Sequence, residues 1–136
     1  MSDTIFSKII RGEIPAQKIY EDKAVIAIMD IAPLSEGHVL VIPKEPAEAL
    51  DQLSDDAAAA VGRVLPRVVR AVQKVTGIAD CNVLQNNGEA AGQAVPHVHF
   101  HVIPKPAGGG LRKEWKPVEV SKDRLAELGR AMARLL

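Results

Sequence analysis

The sequence has little of several residue types that mark particular classes of protein. Its single cysteine among 136 residues excludes a disulfide framework within the chain and favours a reducing, cytoplasmic setting. Basic and acidic residues balance at 17 each, so no basic excess points to a nucleic-acid polymer as partner. No apolar run approaches the roughly 20 residues that span a bilayer, and residues 1–6 lack the pattern of a signal peptide. We therefore expect a cytoplasmic protein that binds neither nucleic-acid polymers nor membranes.

What is present is the pattern of an α+β protein. A chain of this length suits one domain with its own core. Short apolar runs near residues 17–21, 24–29, 38–42, 80–85 and 96–103 predict an antiparallel sheet of about five strands, since short turns separate most of them. A helical stripe that starts after Ser54 and ends at Gly77 predicts one long helix. A first short helix near residues 4–11 and a C-terminal helix after Ser121 complete the prediction.

Three of the four histidines stand in one tract, residues 97–103, where His97, His99 and His101 alternate with apolar residues. On a strand this alternation places the three imidazoles on one face and the apolar side chains on the other. Three histidines at strand period are an improbable accident in a chain with so few of them. The tract is therefore the first candidate for a functional site.

Three interpretations of this histidine face remain open on the residues alone. In the first it is a polar strand face without function. In the second it binds a metal such as zinc, although a further ligand must usually come from elsewhere and His38 is the remaining histidine. In the third one imidazole is a nucleophile and its neighbours are hydrogen-bond donors, because imidazole titrates near neutral pH. The third interpretation suits phosphoryl or nucleotidyl transfer.

A polar loop, residues 86–93, lies directly before the tract and bears on this choice. It carries two asparagines, a glutamine and two glycines, Gly88 and Gly92. Glycine lets the backbone approach an anion closely, and exposed N–H groups there can form an anion-binding nest. The glycine pair alone is a weak signal, but its position beside the histidines favours a phosphate site.

The tract resembles the signature of the histidine triad (HIT) superfamily, in which three histidines are separated by apolar residues and followed by two more. Residues 3–15, 30–33, 37–44 and 86–93 are similar to the Hint branch in the same order and spacing. The resemblance covers about residues 3–106, with residues 107–136 as a loosely similar extension of one domain, residues 1–136. It implies the small α+β HIT fold and a homodimer whose two sheets form one larger sheet.

The resemblance also implies an activity, which is hydrolysis or transfer at the α-phosphate of a purine nucleotide, typically a nucleoside phosphoramidate, without a metal or other cofactor. His99 matches the nucleophile that forms a nucleotidyl-histidine intermediate. His97 would orient His99, His101 would contact phosphate, and His38 matches a histidine near the site. The residues implied to bind the nucleotide are Asp30 and Ile31 at the ribose, Asn86, Gly92, Gln93 and Ala94 at the phosphate, and Ile5, Phe6, Ile9, Ile14 and Ile28 around the base.

Three features depart from the family pattern. Ala94 stands where many Hint-like proteins have a serine whose hydroxyl can bond the phosphate or the leaving group, which puts leaving-group activation in doubt. Thr4 and Ser7 stand where some bacterial members have a zinc-binding cysteine pair, so the resemblance implies no structural zinc of that kind. The C-terminal segment, with Trp115 and Pro117, is only loosely similar, and such segments shape substrate choice across the dimer.

Two alternatives to a phosphoramidase follow from the same residues. Hydrolysis of dinucleoside polyphosphates is one, because Pro96 before the histidines and residues 103–105 after them also occur in other HIT branches. The other is a purine-nucleotide-binding or scaffold protein in which catalysis is incidental, an alternative that Ala94 keeps open.

Overall fold

The computed structural model describes residues 3–111 and 117–136. Within these residues the elements follow the order α1 (Ile5–Ile10), β1 (Lys18–Glu21), β2 (Val25–Met29), β3 (Val39–Pro43), α2 (Asp55–Thr76), β4 (Cys81–Leu84), β5 (Phe100–Pro104) and α3 (Lys122–Ala133). The strands form one antiparallel sheet in the order β1-β2-β3-β5-β4. This confirms the predicted α+β fold with five antiparallel strands, one long helix and a C-terminal helix.

The two faces of the sheet are covered differently. The central strands β2 and β3 are buried along their whole length, so they present apolar side chains to both faces. On one face the long helices α2 and α3 pack over a core that includes Val41, Val64 and Val102. On the other face the short helix α1 packs Phe6 and Ile9 against side chains of β2 and β3. The α1 face therefore has less cover, which leaves space for a site.

Helix α2 begins and ends where the sequence predicts. The Ser54 hydroxyl accepts a hydrogen bond from the N–H of Ala57, and Asp55 and Asp56 occupy the first turn, where the helix dipole favours negative charge. Gly77 ends the helix with a φ of 71°, a left-handed conformation that glycine adopts without strain. Local sequence signals thus determine both ends of this element.

Strand β5 is shorter than the predicted strand over residues 96–103, and that prediction was wrong at its beginning. His97 and His99 precede the strand, which leaves His101 within it. Pro96 has no N–H that could donate a hydrogen bond to a neighbouring strand. The N–H of His97 instead donates to the Val95 carbonyl (2.9 Å), and the N–H of Val98 donates to the Ala47 carbonyl (2.8 Å). The three imidazoles therefore do not share one strand face.

The C-terminal segment returns to the loop that follows β2. The N–H of Val118 donates to the Pro33 carbonyl (2.8 Å), and Arg124 of α3 pairs with Glu36 of the same loop (3.4 Å). Trp115, which the sequence singles out, lies outside the described residues. Among the described residues, no helix is both long and apolar enough to cross a membrane.

Candidate active site

A cavity of about 520 Å³ opens on the α1 face of the sheet, between α1 and strands β2 and β3. Most of the residues implied to form the site line it: Ile5, Phe6, Ile9, Ile14, Ile28, Asp30, Ile31, Gly92, Ala94, His99 and His101. His38, His97, Asn86 and Gln93 lie outside this lining. The cavity is mostly apolar, with an acidic group and two imidazoles as its polar side chains.

Sequence reasoning missed part of the lining, namely Pro15, Ala16, Met29, Ala32, Leu40 and Val95. A signal for Leu40 was present. On β3 it stands two residues before Ile42, and both pack in the core on the α1 face, so the period of two would have assigned Leu40 to the side of the site. Ala16 and Val95 belong to loops, whose position depends on tertiary contacts.

His99 is held with one nitrogen committed and the other available. Its Nδ1 lies 2.7 Å from the main-chain carbonyl oxygen of His97. A carbonyl oxygen only accepts, so Nδ1 carries the proton and Nε2 keeps its lone pair. Burial lowers the pKa of His99 below its usual value, so the ring is neutral at neutral pH. The edge-on ring of Phe6, with centroids 4.9 Å apart, further restrains the imidazole.

His97 acts on His99 through its main chain. Its own ring is buried, and its Nε2 donates to the carbonyl oxygen of Pro43 at 2.8 Å. Its Nδ1 has no hydrogen-bond partner among the described residues. The His97 imidazole thus holds the tract against the end of β3, and the carbonyl of the same residue orients the next histidine.

His38 lies at the start of β3 and is completely buried. The main-chain N–H of Leu34 donates to its Nδ1 at 3.0 Å, so in the neutral ring the proton is on Nε2. That Nε2 lies 3.0 Å from Nδ1 of His101 and 3.4 Å from a carboxylate oxygen of Asp30. Burial, with a smaller contribution from His101, lowers the pKa of His38 to about 3, so the ring is neutral at neutral pH.

Asp30, His38 and His101 form a compact buried cluster whose candidate ligand atoms all lie within 4.8 Å of one another, a spacing that fits a metal ion. The protonation state of His38, however, does not suit it to be a metal ligand. Its Nδ1 accepts a hydrogen bond from Leu34, so the Nε2 that faces the cluster holds the proton and has no lone pair to offer. The three residues are better explained as a hydrogen-bonded group.

Thr4 and Ser7, which stand where some family members have cysteines, cap the start of α1. The Thr4 hydroxyl accepts from the N–H of Ser7 (3.1 Å), and the Ser7 hydroxyl accepts from the N–H of Thr4 (2.8 Å). This reciprocal capping box satisfies donors at the start of α1. It positions the helix that carries Phe6 and Ile9 into the site.

Asp30 stands at the end of β2, where the strand meets the cavity. One carboxylate oxygen accepts from the N–H of Ala32 at 2.8 Å. Burial raises the pKa of Asp30, an effect that this hydrogen bond partly opposes. A carboxylate here can accept further hydrogen bonds, which suits it to a pair of hydroxyl groups on a bound molecule.

The loop over residues 86–93 is folded by its own hydrogen bonds. The Gln93 side chain accepts from the N–H of Gly88 (2.7 Å) and donates to the carbonyl oxygens of Glu48 (2.7 Å) and Val95 (3.0 Å). Gly92 has a φ of 98°, and a Cβ there would lie 3.7 Å from the amide nitrogen of Asn86. Gln93 therefore determines the shape of the loop, while Gly92 and the following residues Ala94 and Val95 reach the cavity.

Comparison of the sequence with known proteins finds a matching family and several relatives. The model of the HIT domain family matches residues 11–108. An adenosine 5'-monophosphoramidase of Schizosaccharomyces pombe is 47% identical over 126 residues, which cover 92% of each chain. An adenylylsulfatase of Arabidopsis thaliana is 44% identical over 104 residues, or 76% of this chain and 53% of the plant protein.

Solved structures agree in fold as well. A crystal structure described as a HIT-like protein involved in cell-cycle regulation, from Bartonella henselae, has a TM-score of 0.89 at 36% identity and covers 98% of this chain and 96% of its own. A histidine triad nucleotide-binding protein from Candida albicans has a TM-score of 0.73 at 36% identity and covers 97% and 96%. The residues, the topology and these relatives together show that the chain belongs to the HIT domain family.

Proposed function

We propose that this protein is a purine-nucleotide hydrolase of the histidine-triad type, which cleaves at the α-phosphate of nucleoside phosphoramidates through a nucleotidyl-His99 intermediate. The observation that carries the proposal is the state of His99. Its Nδ1–H is bound to a main-chain carbonyl, its Nε2 keeps a lone pair, and its neutral ring lines a cavity of suitable size for a nucleotide.

The proposed reaction has two steps, in which the nucleotidyl group is transferred first to His99 and then to water. Nε2 of His99 attacks the α-phosphorus and the bond from phosphorus to the amine nitrogen breaks, after which the departing amine takes up a proton. Water then attacks the same phosphorus, loses a proton and displaces the imidazole. The products are a nucleoside monophosphate and an amine, and His99 returns to its neutral form with Nδ1–H still on the His97 carbonyl.

The rest of the cavity suits a nucleoside. The apolar side chains of α1 and β2, among them Ile5, Phe6 and Ile28, offer flat contact area for a purine base. Asp30 offers a carboxylate for the two ribose hydroxyls, and His101 lies beside His99 with ring centroids 4.9 Å apart, within reach of the same phosphate. The order base, ribose and phosphate thus runs from α1 towards the histidines.

The relatives support the same class of reaction. Three curated relatives, from Schizosaccharomyces pombe, Saccharomyces cerevisiae and Candida albicans, are adenosine 5'-monophosphoramidases, and the plant relative is an adenylylsulfatase. These names favour an enzyme over a scaffold protein, and hydrolysis of small nucleotide conjugates over hydrolysis of dinucleoside polyphosphates.

A substrate panel tests the proposal. Purified protein is incubated with an adenosine phosphoramidate, adenylylsulfate and a dinucleoside polyphosphate, each at the same concentration, and the nucleoside monophosphate is quantified by chromatography. We expect the phosphoramidate to give the highest kcat/KM. Preference for the dinucleotide would favour the other HIT reaction, and tight nucleotide binding without turnover of any substrate would identify a binding protein.

Ala94 gives a specific expectation for leaving groups. It lines the cavity with His99 and His101, and no hydroxyl-bearing or cationic side chain lines the cavity among the described residues. Departure of an amine, which needs a proton, should therefore depend more on an added hydrogen-bond donor than departure of a stable anion such as sulfate. We expect Ala94→Ser to raise kcat for the phosphoramidate about 10-fold, the effect of one added hydrogen bond in the transition state.

The panel also supplies the control for this variant. The same substitution should change kcat for adenylylsulfate by less than about 3-fold, because sulfate departs without protonation. An equal gain with both substrates would mean that the serine acts on the phosphate and not on the leaving group.

We propose a homodimer in which the sheet continues across β4. Strand β4 is an edge strand of the five-stranded sheet, and Val83 is 47% exposed although it faces the same side as its partner Val102, which is buried under α2. An exposed apolar edge of this kind is normally covered by a partner. Analytical ultracentrifugation of the intact protein tests the stoichiometry.

A further inference from the structure

A chain of hydrogen bonds that starts at the backbone determines which ring nitrogen carries the proton in two buried histidines. The N–H of Leu34 donates to Nδ1 of His38 and so places the remaining proton of His38 on Nε2. This Nε2 lies 3.0 Å from Nδ1 of His101. Two N–H groups cannot face one another at that distance, so Nδ1 of His101 is the acceptor and the single proton of the neutral His101 ring is on Nε2.

We infer that His38 is a positioning residue that acts through His101, holding it in the tautomer whose Nε2–H donates to the phosphate or to the leaving group. The inference rests on the proposed function for its catalytic consequence, but the protonation pattern itself follows from the geometry of the protein alone.

The consequence is that Nε2 is a hydrogen-bond acceptor in His99 and a hydrogen-bond donor in His101. His99 keeps a lone pair on Nε2 because its Nδ1–H is held by the His97 carbonyl, while His101 keeps a proton on Nε2 because its Nδ1 accepts from His38. One ring is a nucleophile and the other a donor, and both line the same cavity. Burial, with a smaller effect of His99, lowers the pKa of His101 to about 4, so this assignment holds for the neutral ring at neutral pH.

Asp30 does not alter this assignment. Its carboxylate oxygen lies 3.4 Å from Nε2 of His38, farther than Nδ1 of His101. Even if the His38 proton were shared between the two, Nε2 of His38 would still have no lone pair to receive a proton from His101. His38 is therefore the donor and His101 the acceptor whether or not Asp30 shares the proton.

The first test measures the tautomer directly in the wild-type protein. Long-range ¹H–¹⁵N correlation spectra of ¹⁵N-histidine-labelled protein at neutral pH distinguish Nε2–H from Nδ1–H for each ring. We expect His38 and His101 as Nε2–H tautomers and His99 as the Nδ1–H tautomer. A His101 ring protonated on Nδ1 would overturn the inference whatever the substrate proves to be, whereas failure of the proposed function would leave this spectrum unchanged.

The second test compares two variants of His38 that both lose the acceptor for Leu34 but differ in what they offer to His101. His38→Gln places an amide N–H₂ the same number of bonds from Cβ as Nε2, and His38→Met offers no donor. We expect kcat to fall about 10-fold or more in His38→Met, with KM nearly unchanged, and to stay within about 3-fold of wild type in His38→Gln.

The spectra of the variants complete the design. His101 should populate both tautomers in His38→Met and return to Nε2–H in His38→Gln. Equal loss of kcat in both variants, or no loss in His38→Met, would contradict the inference. Should His38→Met not fold, the wild-type spectrum and the activity of His38→Gln still decide it.

Discussion

Replacement of His99 by alanine is expected to lower kcat/KM for a nucleoside phosphoramidate by at least ~100-fold, because the attacking lone pair on Nε2 is removed. Among the described residues that line the cavity, no other group is placed to attack in its stead: the single proton of His101 lies on Nε2, and the Asp30 carboxylate is the group that we propose binds the ribose. Steady-state kinetics with wild type and variant measure the loss.

A matched variant in the same tract serves as the control. His97→Gln keeps the main-chain carbonyl that orients His99, and its amide can still donate to the Pro43 carbonyl. We expect it to lose less than about 10-fold. Rapid quenching followed by mass spectrometry should detect a nucleotidyl adduct on His99 in wild type and none in His99→Ala. Full activity of His99→Ala would end the nucleophile assignment.

Asp30→Asn is expected to lower kcat/KM for the same substrate by about 10-fold or more, the usual cost of losing hydrogen bonds to a charged acceptor. The carboxylate has one oxygen on the N–H of Ala32 and a second that lies on the side of His38, and the residue lines the cavity at the end of β2. An amide of the same shape has one acceptor fewer and so cannot receive two ribose hydroxyls as well.

The substrate provides the control for Asp30. A 2′,3′-dideoxy analogue lacks both hydroxyls, so the wild-type enzyme should process it about as poorly as Asp30→Asn processes the ribonucleotide. The variant and the analogue combined should show little additional loss, which a double-mutant-type cycle measures. Additive losses would mean that Asp30 acts on the histidines and not on the ribose.

Local sequence signals predicted most of the fold correctly. The start of α2 at Ser54 and its end at Gly77 follow from side-chain capping and left-handed glycine, both of which are properties of a few neighbouring residues. The apolar runs predicted the strands because β2 and β3 are buried on both faces. Such features need no knowledge of the distant chain.

The beginning of β5 shows where such signals fail. The alternation of residues 97–101 has the period of a strand, yet His97 and His99 lie outside β5 because the N–H of Val98 finds an acceptor at Ala47. That bond joins segments about fifty residues apart, and periodicity contains no information about it. Alternation placed the three imidazoles on one strand face, and the structure does not have that geometry, although His99 and His101 both line the cavity.

The histidine tract, the zero net charge and the α+β pattern were thus determined by the sequence alone, because they depend on composition and local period. Tertiary structure decided what each histidine can do. The contacts from His97 to Pro43 and from His38 to His101 join residues 54 and 63 positions apart, and the proton on each ring depends on such contacts. His99 and His101 are chemically identical in the sequence, and the fold distinguishes them because Nδ1 donates in His99 and accepts in His101.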